Sequence, residues 1–352
     1  MNWPPLRPRR AVLDMAPYSP PTAGRQGRLR LDFNENTVGC SPRVVRALKR
    51  CATREALAVY PEYGEARRKL AAFFGVDAEQ MLFTNGTDEA IQLVINTYVD
   101  DRDPVLLLSP SYAMYQFYAE LAGARVEEVP YRHPDLAFPL QELLASISPA
   151  TRAVLIANPN NPTGTAIDLA RLRRILERAE SAAVLIDEAY FEFCGTTALG
   201  LLSRYPNLFV SRTFSKVYGM ASLRLGCLFS RQENIACLGK TQSPYSVNSA
   251  AVWCALAAVR DRGYIQKYVA EALQSRCLLC QGLERLGIPY YPSAANFVLA
   301  RLGDRAVEIR DRLRKKGVLV RDRSYELAGC VRVTVGKKAH ARRFLTALEE
   351  IL

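Results

Sequence analysis

The amino-acid sequence predicts an α/β protein in which a mainly parallel sheet, covered by helices, is followed by a smaller α+β domain. Short, continuously apolar runs alternate with helical spacing over the first two thirds of the chain. After Pro244 the pattern changes to long helical stretches and then to further strand-like runs. The chain has 352 residues, which is more than one small core accommodates.

The order of these runs predicts the elements and three regions. Prolines interrupt residues 1–30, which favours an irregular arm, and Ser41-Pro42 has the pattern of a helix start. The expected strands are Leu29–Phe33, Met81–Thr84, Val105–Ser109, Ala153–Ala157, Ala183–Ile186, Leu208–Arg212, Asn296–Ala300, Val318–Arg321 and Val331–Val335. Long helical stretches are expected over about 248–287, and another helix near 304–316. We expect residues 1–30 to join the small domain, 31–245 to form the large domain, and 246–352 to contain an interdomain helix and the small domain.

Composition excludes several classes of protein. The net charge of +12 favours anionic ligands, but the basic residues are dispersed, and no aromatic residues accompany their densest clusters. Nucleic acid is therefore not expected as a partner. No apolar run follows the basic N-terminus, and no stretch approaches the roughly 20 apolar residues of a membrane span. Neither a signal peptide nor a membrane anchor is expected.

The nine cysteines are scattered, which is typical of a protein from a reducing cytoplasm. Cys277 and Cys280 form a C-x-x-C pair within a predicted amphipathic helix, and the two histidines, His133 and His340, are distant in sequence. Because a metal site needs further ligands nearby, helix packing is the better interpretation, and no metal is expected.

The segment Ser211–Gly226 carries the clearest chemical signal. Lys216 follows a predicted strand among the hydroxyl groups of Thr213 and Ser215, with Arg224 eight residues later. Hydroxyl groups and a guanidinium close to a lysine favour an anion site. Partial burial beside an arginine also disfavours the charged form of the lysine, so that its amine becomes a nucleophile. The alternative is a solvated surface lysine.

Two further strand ends carry polar groups. Asp187 follows the apolar run Val184–Ile186, at the carboxyl end of a predicted parallel strand, where α/β proteins bind ligands. It either caps a helix or pairs with a protonated ring nitrogen. Asn160 and Asn161 follow the preceding strand and form either a tight turn or amide donors into the same crevice.

A third strand end, Thr84–Glu89, combines a glycine with a predicted helix start. The free N–H groups and the positive end of the helix dipole would form a phosphate cradle. One glycine turn among twenty glycines is a weak signal by itself.

Together, and in this order, these motifs closely resemble the fold-type I aminotransferases of class II over about residues 30–336. The resemblance implies the fold of that family and pyridoxal 5'-phosphate (PLP) as cofactor. The implied cofactor-binding residues are Tyr60, Gly86, Thr87, Asp88, Tyr112, Asn161, Asp187, Tyr190, Thr213, Ser215, Lys216 and Arg224.

The same resemblance assigns roles to these residues. Lys216 matches the Schiff-base lysine, Asp187 the partner of the pyridine nitrogen, and Tyr190, with Asn161, the pair that binds the phenolic oxygen. Tyr112 matches the aromatic residue that stacks on the ring. The implied catalytic residues are Lys216, Asp187 and Tyr190.

Other matches concern the phosphate and the partner subunit. Tyr60 matches a tyrosine that reaches the cofactor phosphate of the other subunit, which implies a homodimer with shared active sites. The phosphate-site matches within one chain are Gly86, Thr87, Thr213, Ser215 and Arg224.

Within the family, several features resemble the enzymes that act on histidinol phosphate. These include Asn34-Glu35-Asn36, followed here by Thr37 where those enzymes usually have proline, and Tyr60-Pro61. The remaining resemblances are Pro244–Asn248 and Ala328–Gly336. They imply transamination of L-histidinol phosphate with 2-oxoglutarate to give imidazole-acetol phosphate and L-glutamate, in histidine biosynthesis.

The substrate-binding residues implied by this resemblance are Tyr18, Asn34, Arg321 and Arg332. Arg332 would bind the carboxylate of the amino-acid partner, and Arg321, helped by Tyr18, the substrate phosphate. A surface position is the alternative for each arginine.

Other activities remain open because one scaffold hosts many substrates. An aromatic amino-acid aminotransferase and a threonine-phosphate decarboxylase are the enzymatic alternatives. A PLP-binding transcription regulator is disfavoured, since about 30 residues before the resemblance are too few for a helix-turn-helix domain.

Overall fold

The structure, a computed structural model, describes residues 6–17 and 23–352. Within these ranges it contains the helices α1 (Arg10–Asp14), α2 (Pro42–Cys51), α3 (Arg54–Ala58), α4 (Gly64–Phe74), α5 (Gly86–Tyr98), α6 (Met114–Ala122), α7 (Leu140–Ser146), α8 (Leu169–Arg178), α9 (Phe191–Cys194), α10 (Gln232–Thr241), α11 (Ser249–Val259), α12 (Arg262–Arg285), α13 (Ala306–Lys315) and α14 (Lys338–Glu349). The strands are β1 (Leu29–Leu31), β2 (Met81–Thr84), β3 (Pro104–Ser109), β4 (Arg125–Pro130), β5 (Ala153–Ala157), β6 (Ala183–Asp187), β7 (Leu208–Thr213), β8 (Gly226–Phe229), β9 (Tyr290–Tyr291), β10 (Phe297–Arg301), β11 (Val318–Asp322) and β12 (Cys330–Thr334).

The large sheet has seven strands in the order β2-β8-β7-β6-β5-β3-β4. All neighbouring strands from β7 to β4 run parallel, and β8 runs antiparallel to both β2 and β7. The predicted mainly parallel α/β fold is therefore confirmed.

Hydrophobic layers cover both faces of the large sheet, which explains why its central strands are continuously apolar. Ile156 and Val184 belong to the cluster on one face, whereas Leu155, Leu185 and Phe209 belong to the cluster on the other. Successive side chains of a strand point to opposite faces, so every residue of these strands is buried.

A second sheet of five strands has the order β1-β11-β12-β10-β9 and its own hydrophobic core. Strand β1 pairs in parallel with β11, so the chain enters this sheet before it enters the large one. The expected boundary at residue 30 falls inside β1, and the three regions stay a prediction.

The local signals mark several element ends well. Ser41 caps α2, because its side chain accepts a hydrogen bond from the N–H of Arg43, and Pro42 is the first helical residue, as predicted. Cys277 and Cys280 lie within α12 as expected, and the long helical stretches predicted over about 248–287 are α11 and α12.

Three expectations about elements were wrong. The N-terminal arm contains the short helix α1, and the first strand ends at Leu31 instead of Phe33. Strands β4 and β8 and the two-residue strand β9 were missed. Strand β4 lies at the sheet edge and exposes charged residues, while the four apolar residues of β8 directly follow the Lys216 segment and carry no turn signal of their own.

In the described part of the chain, none of the helices combines the length and the apolar character that crossing a membrane requires. Among the same residues, no group of histidine, cysteine and acidic side chains is arranged to hold a metal ion. The cytoplasmic location stays a prediction.

Candidate active site

A cavity of about 540 Å³ lies where strands of the two sheets end. The parallel register aligns Ala157 with Asp187 and Asp187 with Ser211, which brings the carboxyl ends of β5, β6 and β7 to one edge. The sequence-predicted residues that line the cavity are Asn34, Thr87, Asp88, Tyr112, Asn161, Asp187, Tyr190, Thr213, Ser215, Lys216, Arg224, Arg321 and Arg332.

Asp187 is a buried carboxylate whose hydrogen-bond partners among the described residues are all neutral. One oxygen accepts hydrogen bonds from Ser211 Oγ (3.0 Å) and from the N–H of Ala189 (3.1 Å), and the other accepts from the hydroxyl of Tyr115 (3.0 Å). Burial raises the pKa of Asp187 to about 6, although these hydrogen bonds act in the opposite direction. Because none of the described side chains forms a salt bridge with it, this carboxylate is suited to a cationic group in the cavity.

Lys216 lies across the same cavity and is half-buried. Its Nζ donates to the backbone oxygen of Phe33 at 3.0 Å and lies 5.9 Å from the ring centroid of Tyr190. The described side chains include no carboxylate within salt-bridge distance of this amine. Its partner is a neutral carbonyl group, so a reactive group in the cavity can engage the amine.

An anion cradle forms where α5 begins. Gly86 has a positive φ of 75°, and an added Cβ would overlap the guanidinium of Arg224, so glycine is required here. No side chain caps α5, which leaves its first N–H groups for a ligand. Arg224 lies between Asp88 (3.0 Å) and Ser215 Oγ (3.5 Å).

Polar and aromatic side chains line the cavity between the cradle and the second sheet. The hydroxyl of Tyr112 donates to Asp88 at 2.8 Å. Asn34 donates to the hydroxyl of Tyr190 at 2.9 Å, and the amide oxygen of Asn161 accepts from Arg332. These contacts link residues that are more than 150 positions apart.

Three arginines, Arg321, Arg323 and Arg332, line the far end of the cavity. Arg321 and Arg332 are direct cross-strand partners on β11 and β12. Burial, together with the charges of Arg323 and Arg321, lowers the pKa of Arg332 to about 10. This end of the cavity is strongly suited to an anion.

Two predicted site residues, Tyr60 and Gly86, do not line this cavity. The side chain of Tyr60 is 74% exposed and stacks on Tyr245 with ring centroids 4.4 Å apart, away from the cavity of its own chain. Tyr18 lies outside the described residues. Gly86 is packed under Arg224 instead of lining the cavity.

Sequence reasoning missed several residues of the cavity. Glu35 lines it and pairs with Arg25 at 2.8 Å, although it stands in the middle of the Asn34–Asn36 motif. Arg323 was detectable in principle, because it follows Arg321 by two residues and strand periodicity places both on one face. Tyr115 does not line the cavity but donates to Asp187, and it carries no local signal, since only the fold brings it to that carboxylate.

The donor set fits PLP. The cradle at Gly86 and Arg224 suits a phosphate, and Asp187, at the end of a central strand, suits a protonated pyridine nitrogen. Lys216 supplies an amine within the same cavity, and Tyr190 with Asn161 supplies polar groups for a phenolic oxygen. Every chemical feature of the cofactor therefore meets a complementary group.

Comparison with known proteins agrees with this geometry. Residues 27–348 match the family described as Aminotransferase class I and II. The chain is 40% identical to a histidinol-phosphate aminotransferase of Symbiobacterium thermophilum, over 98% of each chain. It is 36% identical to histidinol-phosphate aminotransferase 1 of Bacillus cereus strain ATCC 10987, over 92% of this chain and 89% of the relative.

A solved structure is also similar throughout its length. The crystal structure of histidinol-phosphate aminotransferase from Sinorhizobium meliloti, in complex with pyridoxal-5'-phosphate, superposes with a TM-score of 0.90 at 26% identity. The match covers 98% of this chain and 97% of that one.

Proposed function

This chain belongs to the class I and II aminotransferases, and on that basis we propose that it transfers the amino group of L-histidinol phosphate to 2-oxoglutarate. It is an enzyme of a PLP-dependent family. The observation that carries the substrate proposal is the pair of facing arginines, Arg321 and Arg332, in the cavity that also contains Lys216 and Asp187. The products would be imidazole-acetol phosphate and L-glutamate.

The cofactor, when bound, supplies an electron sink for the bonding electrons of the substrate's α carbon. Lys216 is the group that we propose to hold the cofactor covalently and then to move the proton at that carbon. The Phe33 carbonyl, 3.0 Å from Nζ, orients the amine toward the cavity. A buried amine that is held by a neutral acceptor can exchange protons without first breaking a salt bridge.

Asp187 is proposed to stabilise a proton on the ring nitrogen. Tyr115 holds one carboxylate oxygen, and Ser211 with the N–H of Ala189 holds the other, which fixes the direction of the negative charge. Burial, together with the charge of Asp187, raises the pKa of Tyr115 well above its ordinary value, so Tyr115 stays a hydrogen-bond donor. The carboxylate is thus preorganised for a cation.

The cradle is proposed to bind the cofactor phosphate. Arg224 and Ser215 lie beside the uncapped start of α5, and Thr213 accepts a hydrogen bond from the N–H of Ser215 at 3.0 Å. Asp88 neutralises part of the charge of Arg224 and also accepts from Tyr112. Tyr112 is proposed to stack on the ring.

At the opposite end, Arg321 is proposed to bind the distal anion: the phosphate of one substrate and the side-chain carboxylate of the other. Arg332 is proposed to bind the carboxylate next to the reacting carbon of glutamate. The planar guanidinium group makes paired hydrogen bonds to either anion. Asn34, which contacts Tyr190, is proposed to contact substrate, and the proposed role of Tyr18 stays a prediction.

A homodimer belongs to the same proposal. Tyr60, Tyr245, Leu57 and Val59 are large hydrophobic residues that are exposed within one chain. A two-fold interface over this surface would bury them and bring Tyr60 to the cofactor phosphate of the partner. Exposure of several apolar side chains together supports such an interface.

A coupled assay tests the proposed function. L-Histidinol phosphate, phenylalanine, tyrosine and threonine phosphate are compared as amino donors with 2-oxoglutarate as acceptor, and histidinol without its phosphate serves as the control. We expect histidinol phosphate to react fastest. Equal reaction of histidinol and its phosphate ester would contradict the substrate proposal and favour an aromatic amino-acid aminotransferase.

A further inference from the structure

The second sheet places like charges opposite each other. Arg321 on β11 faces Arg332 on β12 in register. Arg323 follows Arg321 at the two-residue period of a strand, and its N–H donates to the oxygen of Cys330 at 2.9 Å. Because like charges directly across a sheet are destabilising, this arrangement calls for an anion between the strands.

The three arginines differ in their counter-charges. Among the described residues, neither Arg321 nor Arg332 forms a salt bridge, whereas Arg323 pairs with Glu326. Arg332 donates to the backbone oxygen of Asp32 at 2.6 Å and to the amide of Asn161, both of which are neutral acceptors.

Arg323 lines the cavity and is about as deeply buried as Arg332. Its side chain is 7% exposed, and Nη1 donates to the hydroxyl of Tyr325 at 2.9 Å. In both Arg323 and Arg332, the buried Nε has no hydrogen-bond partner among the described residues. A buried donor without a partner is costly, so each is poised to bind an acceptor supplied by a ligand.

We propose that Arg323 is a second arginine of the distal anion site, beside Arg321, and that it sets the preference for a phosphate monoester over a carboxylate. This inference rests on the proposed function. A carboxylate has two oxygens, which one planar guanidinium can satisfy. A phosphate monoester has three terminal oxygens and carries about −1.5 to −2 charges near neutral pH, so it can engage a further arginine that a carboxylate leaves unused.

The carboxylate of Glu326 modulates the affinity of this site for anions. Its carboxylate is 21% exposed and neutralises part of the charge of Arg323. Replacing Glu326 with glutamine keeps the shape of the side chain but leaves Arg323 uncompensated. The two partners should therefore have opposite effects: loss of Arg323 weakens the binding of a dianion, and loss of the Glu326 charge strengthens it. A purely structural salt bridge would give effects of the same sign.

The test uses the PLP-loaded enzyme and the variants Arg323→Gln, Arg323→Lys and Glu326→Gln. The KM and kcat of each half-reaction are measured by stopped flow with histidinol phosphate and with glutamate, and the Kd of inorganic phosphate is measured by calorimetry. Arg310→Gln is the matched control, because Arg310 pairs with Asp311 and Asp322 and does not line this cavity.

Arg323→Gln should raise the KM for histidinol phosphate and the Kd of inorganic phosphate roughly ten-fold, with a clearly smaller change in the KM for glutamate. Arg323→Lys, which keeps the charge but loses the planar fork, should fall between Arg323→Gln and the unmodified enzyme. Glu326→Gln should lower the phosphate Kd by up to about three-fold.

Equal effects of Arg323→Gln on the two substrates would overturn the inference. So would a Glu326→Gln change in the same direction as Arg323→Gln. If the unmodified enzyme does not distinguish histidinol phosphate from histidinol, the proposed substrate fails, while the calorimetry with inorganic phosphate still decides the role of Arg323. If Arg323→Gln does not fold, Arg323→Lys and Glu326→Gln carry the test.

Discussion

The carboxyl end of strand β6 places two consecutive acidic residues on opposite faces of the large sheet, and the groups that partner their charges differ between the two faces. Asp187 and Glu188 are consecutive and both buried. Glu188 pairs with Arg212 at 2.7 Å and also accepts from Thr197 and from the N–H of Ala198. In the described part of the chain, Asp187, on the cavity side, accepts hydrogen bonds only from neutral donors.

The arginines show the same contrast. Arg212 is paired inside the fold, and its guanidinium lies 3.5 Å from the ring centroid of Phe191. Arg332 is equally buried, but the acceptors that the described residues offer it are neutral oxygens. A buried charge that a fully buried counter-charge neutralises is structural, as in the Arg212–Glu188 pair, whereas a buried charge that is held by neutral groups or only partly neutralised is available to a ligand. The comparison thus separates structural from functional charges without reference to any motif.

The largest expected effect concerns Lys216. Lys216→Ala should remove nearly all turnover, because loss of a positioned proton-transfer group alone costs about 10²–10⁴-fold. Borohydride reduction of the unmodified enzyme followed by peptide mapping should place the pyridoxyl label on Lys216 and on no other lysine. The exposed Lys240→Ala is the control and should keep both activity and label. A label on a different lysine would contradict the assignment.

Breaking the Glu188–Arg212 salt bridge, on the face of the sheet opposite the cavity, should lower the stability of the protein instead of its activity. Arg212→Met leaves the Glu188 carboxylate buried without a cation, which should lower the free energy of unfolding by about 3–5 kcal/mol. Urea unfolding of the cofactor-free protein measures this loss in the free energy of unfolding. Burial raises the pKa of Glu188, so the loss should shrink as the pH falls and the carboxyl group protonates.

The double variant Arg212→Met/Glu188→Gln is the control for that experiment and should recover much of the stability, since no buried charge remains. If Arg332→Met destabilised the protein as strongly as Arg212→Met, the distinction between the two faces would be lost.

Asp187→Asn should change function and stability in opposite directions. With cofactor bound, the proton-transfer step should slow by roughly two orders of magnitude, because the ring nitrogen loses its anionic partner. In the cofactor-free protein, the pKa of Asp187 lies at about 6 in the folded state, above its ordinary value of 3.8. The folded state therefore holds more protons than the unfolded state between these values, and stability falls as the pH rises from about 4 to 6.

In the Asp187→Asn variant, stability should not decrease as the pH rises from about 4 to 6. At pH 7 its free energy of unfolding should therefore exceed that of the unmodified cofactor-free protein by about 1–3 kcal/mol. Thermal or urea unfolding between pH 4 and 7 checks the difference. Parallel pH profiles of the two proteins would show that the charge of Asp187 is compensated inside the fold, contrary to the comparison.

The arginines of the second sheet should separate kinetically. Histidinol phosphate has no carboxylate beside its reacting carbon, so Arg332→Ala should slow the glutamate half-reaction far more than the histidinol-phosphate half-reaction. Arg321→Ala should impair both, by about 1.5–3 kcal/mol each, or roughly ten- to a hundred-fold. Stopped-flow absorbance measures the rate of each half-reaction and shows whether the two arginines affect them differently. Equal losses in the two half-reactions of Arg332→Ala would refute the division of roles.

The smallest effect concerns completion of the cavity by a partner subunit. Tyr60→Ala and Lys216→Ala homodimers are mixed and allowed to exchange subunits. If Tyr60 acts across the interface, a heterodimer has one site with both changes and one with neither, so activity should reappear in about a quarter of all sites at full exchange. Proven exchange without recovered activity would show that each cavity is complete within one chain.

Much of this molecule could be predicted locally. The strands Met81–Thr84 and Ala153–Ala157 coincide with apolar runs, because strands buried on both faces tolerate no polar interruption. Strands β4 and β8 escaped prediction for physical reasons: one exposes charges at a sheet edge, and the other directly follows the Lys216 segment with no turn signal to separate it.

Residue chemistry and order along the chain determined that this protein is a PLP-dependent aminotransferase, because the strand-end motifs around Lys216, Asp187 and Gly86 together match one family. The tertiary structure alone decided which charges are left unpaired. The sequence places Asp187 beside Glu188, but the partners of Glu188 come from the Thr197–Ala198 segment and from β7. Likewise, Arg321 and Arg332 face each other because two strands pair in one register. Charge pairing depends on distances between groups that are remote in sequence, and only the folded chain sets those distances.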